Sequence, residues 1–189
     1  TVTSGAGNDK ITSGSGADTI SAGDGDNVVE ASNGANTVTT GSGNDIVYSG
    51  VDTDTITTGV GDDVINIKGG TDTIAAGAGN DTLIVDFSLA SGVVSINTLA
   101  GTAAAGYAGN ISGLGIATFA GVENFDITSG GFDDVITTGD GNDVVRSVAG
   151  SDTVSLGGGD DEVVYKMTDI AVATDAYFGG VGPASYTHL

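Results

Sequence analysis

The chain lacks cysteine and tryptophan altogether, and among its 189 residues it has one proline and four lysine and arginine residues. The absence of cysteine excludes disulfides, thiolate metal sites and cysteine nucleophiles. The single histidine, His188, lies in the C-terminal tail, so there is no Ser-His-Asp arrangement and no zinc-protease motif. No uncharged apolar run reaches about 18 residues, and no signal-peptide pattern opens the chain, so the sequence predicts no membrane span.

Acidic residues and glycine are present in excess instead. The chain carries 25 acidic side chains, a formal net charge of −21 and 34 glycines. A surface this acidic repels phosphate backbones and anionic lipid, so nucleic-acid binding and electrostatic membrane docking are excluded. At 39% hydrophobic residues the chain is not a disordered acidic tail. The chain therefore needs a cation to balance its charge, which makes the positions of its acidic residues informative.

The acids recur every nine residues. Nine nonapeptides run without a slip from Ser4 to Ile84, and four more in the same phase run from Ser129 to Val164. The sixth place of each repeat is an acid or amide: Asp9, Asp18, Asn27, Asn36, Asp45, Asp54, Asp63, Asp72, Asp81, Asp134, Asp143, Asp152 and Asp161. The eighth place is always Ile, Val or Leu, from Ile11 to Val163. A fixed short period predicts a solenoid.

The other places of the repeat support this interpretation. The second and fourth places favour glycine, which lets the backbone turn with positive φ and brings carbonyl oxygens close to an ion. Complete pairs of these glycines are Gly5 and Gly7, Gly14 and Gly16, Gly23 and Gly25, Gly41 and Gly43, Gly59 and Gly61, Gly77 and Gly79, Gly139 and Gly141, and Gly157 and Gly159. The last three places alternate outward, inward and outward as a strand does, so the eighth place points to the interior.

This pattern resembles the RTX, or haemolysin-type, calcium-binding nonapeptide repeat G-G-x-G-x-D-x-U-x, over residues 4 to 84 and 129 to 164. The resemblance implies an all-β fold, a parallel β-roll or β-solenoid in which two nonapeptides make one coil. It also implies Ca²⁺ ions held by sixth-place side chains and by glycine carbonyls of the second and fourth places, each ion bridging repeat i and repeat i+2.

About nine calcium sites follow from that family geometry. The expected pairs are Asp9–Asn27, Asn27–Asp45, Asp45–Asp63, Asp63–Asp81, Asp18–Asn36, Asn36–Asp54, Asp54–Asp72, Asp134–Asp152 and Asp143–Asp161. Nine divalent ions would bring the net charge from −21 to about −3. Burying one aliphatic side chain per nonapeptide offsets only a small part of the conformational entropy that is lost when nine residues become ordered. We therefore expect the fold to require the ions.

Several loops depart from the pattern. Asn27 and Asn36 offer an oxygen without a charge, so we expect the weakest ions there, with Asp24 and Asp26 as candidates to compensate. Other departures replace a glycine: Ser32 and Lys68 at the second place, Asp52 and Phe132 at the fourth. Lys68 could place an ammonium where an ion would lie, although a solvated side chain is the simpler interpretation.

The repeats divide the chain into two blocks and two other segments. We predict a first block over residues 1–84, a strand-rich insertion packed on the solenoid over 85–128, a second block over 129–165 and a non-repeat tail over 166–189. The insertion resembles strand-rich segments of large secreted RTX proteins. Phe119 and Phe125 alternate as in strands, which predicts that both are core residues. Because both ends interrupt the pattern, we expect a segment of a longer protein.

The two outer faces differ in composition. Even repeats present a ladder of hydroxyls: Thr19, Ser21, Thr37, Thr39, Thr55, Thr57 and Thr73. Exposed strand threonines explain this ladder most simply, with an ice-binding or crystalline-polysaccharide surface as the alternative. Odd repeats present an apolar stripe, defined as Val28, Ile46, Tyr48, Val64 and Ile84. An exposed apolar patch usually has a cover, so we expect residues 85–128 or a neighbouring subunit to pack on the stripe.

The sequence does not favour an enzyme. Adjacent carboxylates such as Asp62 and Asp63 resemble acid/base pairs, but their repeat phase assigns them to ion-binding loops. Glycine-rich stretches resemble phosphate loops, but no Gly-Lys-Ser/Thr follows. We expect a structural calcium-binding module of a secreted, extracellular or cell-surface protein, S-layer or adhesin-like. The family resemblance implies type I secretion and folding on Ca²⁺ outside the cell, with self or neighbouring subunits as partners. The alternative is the carrier module of a secreted enzyme or toxin.

Overall fold

The structure, a computed structural model, describes residues 1–102, 104–113, 115–165 and 176–188. All the regular structure in these residues is β-strand, and none of them forms a helix suited to crossing a membrane. Twenty strands form two sheets, and outside the insertion successive strands alternate between the sheets. Within each repeat block, neighbouring strands of one sheet lie 18 residues apart in sequence and pair in parallel. The predicted all-β parallel β-roll is confirmed.

The first sheet has eleven strands. In spatial order they are β1 (Val2–Thr3), β3 (Thr19–Ser21), β5 (Thr37–Thr39), β7 (Thr55–Val60), β9 (Thr73–Ala78), β13 (Ile116–Val122), β12 (Gly106–Ser112), β11 (Ser95–Thr102), β15 (Val135–Thr137), β17 (Thr153–Ser155) and β19 (Ala176–Phe178). The second sheet has nine: β2 (Lys10–Thr12), β4 (Val28–Ser32), β6 (Ile46–Ser49), β8 (Val64–Ile67), β10 (Thr82–Asp86), β14 (Asn124–Thr128), β16 (Val144–Ser147), β18 (Asp161–Tyr165) and β20 (Ala184–His188).

The core lies between the sheets and is narrow. Every eighth-place aliphatic is buried, as the alternation of the strand predicts. The first place of the repeat also points inward, which the sequence analysis did not foresee. Its hydroxyls bond along the stack: Thr40 Oγ1 donates to Thr58 O at 2.7 Å, and Thr58 Oγ1 donates to Ala76 O at 2.8 Å. The interior is thus one aliphatic column per sheet, flanked by first-place side chains that are small or carry a hydroxyl except for Ile67 and Leu156.

Residues 85–128 enter the sheets edge to edge. Strands β13, β12 and β11 form an antiparallel meander between β9 and β15 of the first sheet, while β14 continues the second sheet between β10 and β16. Phe119 and Phe125 are buried as predicted, with ring centroids 5.3 Å apart in an edge-to-face arrangement. The boundaries drawn for this segment and for the two blocks remain predictions.

The expectation that residues 85–128 cover the apolar stripe is wrong for the part of the segment that the structure describes. Its three extra strands belong to the first sheet, whereas the stripe lies on the second. The physical reason is hydrogen bonding: open strand edges at β9 and β15 offer unpaired backbone groups to the meander. Val28, Ile46 and Val64 align in register and are half-buried by one another.

The hydroxyl ladder is exposed and regular. Thr19, Thr37, Thr55 and Thr73 stand in register on consecutive strands of the first sheet, and Thr118 of the insertion extends the row. Exposed threonine is a favourable strand residue, which accounts for the row without a ligand.

The tail prolongs the solenoid although it lacks the nonapeptide pattern. Strand β19 pairs with β17 and β20 pairs with β18, both in parallel. The N–H of Asp161 donates to the carbonyl of Pro183 at 3.1 Å. Tyr177 packs between the rings of Tyr165 and Tyr186, at centroid distances of 5.5 and 6.2 Å. In this coil, aromatic side chains thus pack where the repeats have buried aliphatic side chains. Residues 166–175 and 189 lie outside the described part.

Stacking of the loops predicts which glycines are essential. A Cβ at Gly77, where φ is +115°, would lie 1.9 Å from Gly59 O, whereas a Cβ at Gly14 meets nothing within 4 Å. We expect Gly77→Ala to lower the free energy of unfolding by about 2 kcal/mol or more because of backbone strain and this clash. Gly14→Ala is the matched control and should be near neutral. Urea unfolding of the calcium-saturated variants measures both, and equal losses would contradict the stacking argument.

Candidate metal centres

The sixth-place side chains lie where each glycine-rich loop meets its strand, and they form two columns along the edges of the stack. In every predicted pair, Oδ1 of the residue in coil n+1 accepts the backbone N–H of the sixth-place residue in coil n, at 2.8–3.1 Å. The structure therefore brings together all nine pairs expected from the sequence. These bonds fix one oxygen of each acceptor. The other oxygen has no hydrogen bond in Asp45, Asp54, Asp63 and Asp81, whereas that of Asp152 accepts from Ser147 Oγ.

The second carboxylate oxygen is the unusual feature of these columns. The Oδ2 atoms of Asp9, Asp45, Asp54, Asp63, Asp81 and Asp143 are buried and accept no hydrogen bond. A buried, unpaired carboxylate oxygen is costly, by several kcal/mol when it is charged. A repeated, aligned set of such atoms therefore indicates a missing positive partner, since native proteins rarely leave buried charges unpaired.

The amide of Asn27 shows which other oxygens converge on the same point. Its Nδ2 lies 3.1 Å from Gly23 O, 2.6 Å from Gly25 O and 2.9 Å from Asp45 Oδ1. Carbonyls of the second and fourth places and the next carboxylate thus face one small cradle, as the sequence analysis expected of these glycines. This all-oxygen donor set fits a hard divalent cation such as Ca²⁺.

The cradles depend on carbonyls as much as on side chains. Among the described residues no three His, Cys, Asp or Glu side chains cluster tightly enough to hold a metal ion. Each cradle instead combines sixth-place side chains of two adjacent coils with backbone oxygens. Closely stacked glycines permit this: a Cβ at Gly59 would lie 2.1 Å from Gly41 O, and one at Gly61 would lie 2.1 Å from Gly43 O.

Burial raises the pKa of seven of the sixth-place carboxylates. Desolvation raises the pKa of Asp81 to about 7, opposed by the N–H of Asp63 and reinforced by the charge of Asp63. Desolvation likewise raises the pKa of Asp143 to about 7 and that of Asp72 to about 6. The pKa values of Asp54, Asp63, Asp134 and Asp161 are also raised, with burial as the main cause.

The loops that depart from the repeat are accommodated without disturbing the columns. Asp24 accepts from Ser42 and Asp26 accepts from the N–H of Asn44, so neither carboxylate enters the cradle of Asn27 as the sequence analysis suggested. Asp52 accepts from the N–H of Gly34. Lys68 is exposed, which supports the simpler interpretation of a solvated side chain, and Phe132 is 44% exposed.

Two features escaped the sequence analysis. Glu123, 4% exposed, accepts the N–H of Asp81 through Oε2 at 2.7 Å and so extends one column into the insertion. At the fifth place a second ladder runs in the opposite sense, where the N–H of coil n+1 donates to the side chain of coil n: Asp26 to Asn8, Asn44 to Asp26, Asp62 to Asn44 and Asn80 to Asp62. The 18-residue recurrence of Asn or Asp at the fifth place was its visible signal.

The other column is interrupted at the insertion. The N–H of Val94 donates to Asp134 Oδ1 at 2.7 Å. Val94 therefore takes the position of a sixth-place residue in this column, but its side chain is apolar and offers no oxygen. Asp134 Oδ2 accepts from Gly130, which leaves it no free oxygen on that side.

Comparison with known families identifies the repeats. The model of the RTX calcium-binding nonapeptide repeat matches four times, over residues 1–29, 30–65, 68–86 and 128–163. The matches cover most of the chain, which therefore belongs to the RTX calcium-binding nonapeptide repeat family. Repeats of this family bind Ca²⁺ as structural modules and occur in proteins secreted by type I systems. A comparison with curated proteins finds none that matches this chain.

The raised pKa values predict that the metal-free fold becomes less stable as pH rises. Between the ordinary pKa of 3.8 and the folded value of about 7 for Asp81 and Asp143, the folded state binds more protons than the unfolded state. Stability of the metal-free chain should therefore be highest at acidic pH and fall as pH rises through this window. Far-UV circular dichroism of metal-stripped protein should show more strand signal at pH 5 than at pH 8.

A calcium-saturated sample is the control for that experiment. Protons and Ca²⁺ compete for the same oxygens, so excess calcium should abolish or reverse the difference. A metal-free chain with more strand structure at pH 8 than at pH 5 would contradict the assignment of the buried carboxylates.

Proposed function

We propose that this chain is a structural calcium-binding module of a secreted, cell-surface protein, S-layer or adhesin-like, that folds and assembles on binding Ca²⁺ outside the cell. The observation that carries the proposal is the row of stacked carboxylates of Asp45, Asp63 and Asp81, each with one oxygen fixed by a backbone N–H and one buried without a donor. Bound Ca²⁺ would supply positive charge to these oxygens and to the adjacent carbonyls.

The residues of the chain explain why folding would depend on the ion. Asp45, Asp63 and Asp81 stack on one edge with their Oδ2 atoms buried, so the metal-free fold concentrates negative charge where water cannot screen it. The narrow interior offers little hydrophobic compensation. Extracellular calcium modules typically bind at about 10⁻⁴–10⁻³ M, so the same chain would remain loose where calcium is scarce.

The arrangement of adjacent carboxylates supports a non-catalytic role. Asp62 is exposed and its Oδ1 accepts the N–H of Asn80, whereas Asp63 is buried and its Oδ1 accepts the N–H of Asp45. The two carboxylates thus belong to different ladders and do not face a common pocket. We therefore propose that the module itself is not an enzyme.

Assembly is supported by the apolar stripe. Val28, Ile46 and Val64 form a continuous, partly exposed row on the second sheet, and Tyr48 beside them is 41% exposed. A flat row of this kind suits a second subunit, because packing against it would remove apolar surface from water.

A calcium titration followed by circular dichroism tests the folding role, with Asp63→Ala as the informative variant and Asp62→Ala as its matched neighbour. Strand signal should appear on adding Ca²⁺ and disappear on chelation. Asp63→Ala should raise the calcium concentration at the midpoint by about tenfold, since loss of a ligand weakens the cradles on both sides. Asp62→Ala should move it much less. Compact, heat-resistant structure in excess EDTA would refute the proposal.

Sedimentation of the same samples tests assembly. Calcium should convert the chain into associated species, and Val64→Lys, which places a charge in the apolar stripe, should keep it monomeric without loss of strand signal. The matched control is Thr55→Lys on the hydroxyl ladder of the opposite sheet. A calcium-loaded form that is monomeric at every concentration would overturn the assembly role and favour the carrier-module alternative.

A further inference from the structure

Asn27 is held differently from every aspartate in its column. Its Oδ1 accepts the N–H of Asp9 at 3.0 Å, which identifies the other end of the amide as the donor. That donor, Nδ2, lies within 3.1 Å of Gly23 O, Gly25 O and Asp45 Oδ1. The side chain is 0% exposed. All polar atoms of Asn27 are therefore satisfied by the protein itself.

The contrast with aspartate lies in one atom. Aspartate and asparagine have the same shape, so Nδ2 of Asn27 occupies the position that Oδ2 occupies in Asp45 or Asp63. In those aspartates the atom is buried and unpaired. In Asn27 it donates to the oxygens that would otherwise face a cation. An amide NH₂ carries partial positive charge on its hydrogens, so it satisfies the same acceptors without a metal.

Asn36 repeats the arrangement on the opposite edge. Its Oδ1 accepts the N–H of Asp18 at 3.0 Å, and its Nδ2 donates to Ser32 O, the second-place carbonyl of its own loop, at 3.1 Å. Asn36 is 2% exposed. The two asparagines occupy successive repeats, so a single coil, residues 22–39, carries an amide at both of its edges.

We infer that Asn27 and Asn36 fill the cradles of their own loops with the side-chain amide in place of a cation, so that the two loops of coil 22–39 hold no metal ion of their own within an otherwise calcium-dependent stack. The inference rests on the proposed function, namely that the aspartate cradles bind Ca²⁺. It replaces the expectation of weak ions in these two loops. In two of the nine sixth-place pairs, Asn27–Asp45 and Asn36–Asp54, the asparagine amide occupies the cradle, which leaves seven pairs for calcium.

Calcium stoichiometry at saturation tests the inference. Asn27→Asp and Asn36→Asp each remove an amide and restore a carboxylate, so each variant should bind one more Ca²⁺ than the wild-type chain, and the double variant two more. Asn44→Asp is the matched control: it adds the same charge on the same edge, but at the exposed fifth place, and should leave the count unchanged. Native mass spectrometry, with equilibrium dialysis as a check, gives the count.

A second measurement needs only the wild-type chain, should a variant fail to fold. In the calcium-loaded protein, NMR of ¹⁵N-labelled material should show side-chain NH₂ protons of Asn27 that exchange slowly, because they are buried and bonded. Those of exposed Asn44 should exchange fast.

The outcomes separate the two proposals. A wild-type chain that binds no calcium would overturn the proposed function. A wild-type chain that binds calcium at all nine pairs, Asn→Asp variants that add no ion, or fast exchange at Asn27 would overturn the inference alone.

Discussion

The structure depends on carboxylates buried in stacked loops with only one of their two oxygens hydrogen-bonded. In each such pair the bonded oxygen accepts a backbone N–H from the preceding coil, which locks adjacent coils in register. The unpaired oxygen makes that lock unfavourable unless positive charge is supplied. The same contact thus sets the 18-residue coil, aligns the strands and creates the demand for a divalent ion. This contact is the basis of the proposal that the chain folds on binding Ca²⁺.

Glycine has a matching role in the loops. With φ at +114°, Gly59 sits so closely on Gly41 that a Cβ would reach the carbonyl oxygen, and the same holds at Gly61 above Gly43. Close stacking aligns the carbonyls that line each cradle. The fifth-place ladder clamps one edge further, since its bonds run from coil n+1 to coil n while the sixth-place bonds run from coil n to coil n+1. Two opposed sets of bonds resist slippage in either direction.

The nine-residue period was enough to predict the solenoid and the buried eighth place, because both follow from repeat phase. The pairing of sixth-place residues two repeats apart came from the family resemblance, since the period alone does not say how many nonapeptides make one coil. What it could not supply depends on contacts outside the period. Glu123 lies in a segment without repeats, so nothing in the sequence linked it to Asp81. The insertion joins both sheets through open strand edges, at β9 and β15 in the first and at β10 and β16 in the second, and periodicity does not describe such edges. The asparagines look like weakened ligands in sequence, and only the bonds of Asn27 Nδ2 reveal a donor in the cradle.

The one-way sense of the sixth-place bonds gives the stack a polarity. A coil that loses its successor is left with bare sixth-place N–H groups and half a cradle, whereas one that loses its predecessor keeps its sixth-place N–H groups bonded and loses the partners of its fifth-place N–H groups. At Asp161 the carbonyl of Pro183 takes over this capping from a side chain. The two faces of a coil are therefore chemically different at the sixth place: the face toward the C-terminus presents backbone donors, and the face toward the N-terminus presents the side-chain oxygens that accept such donors.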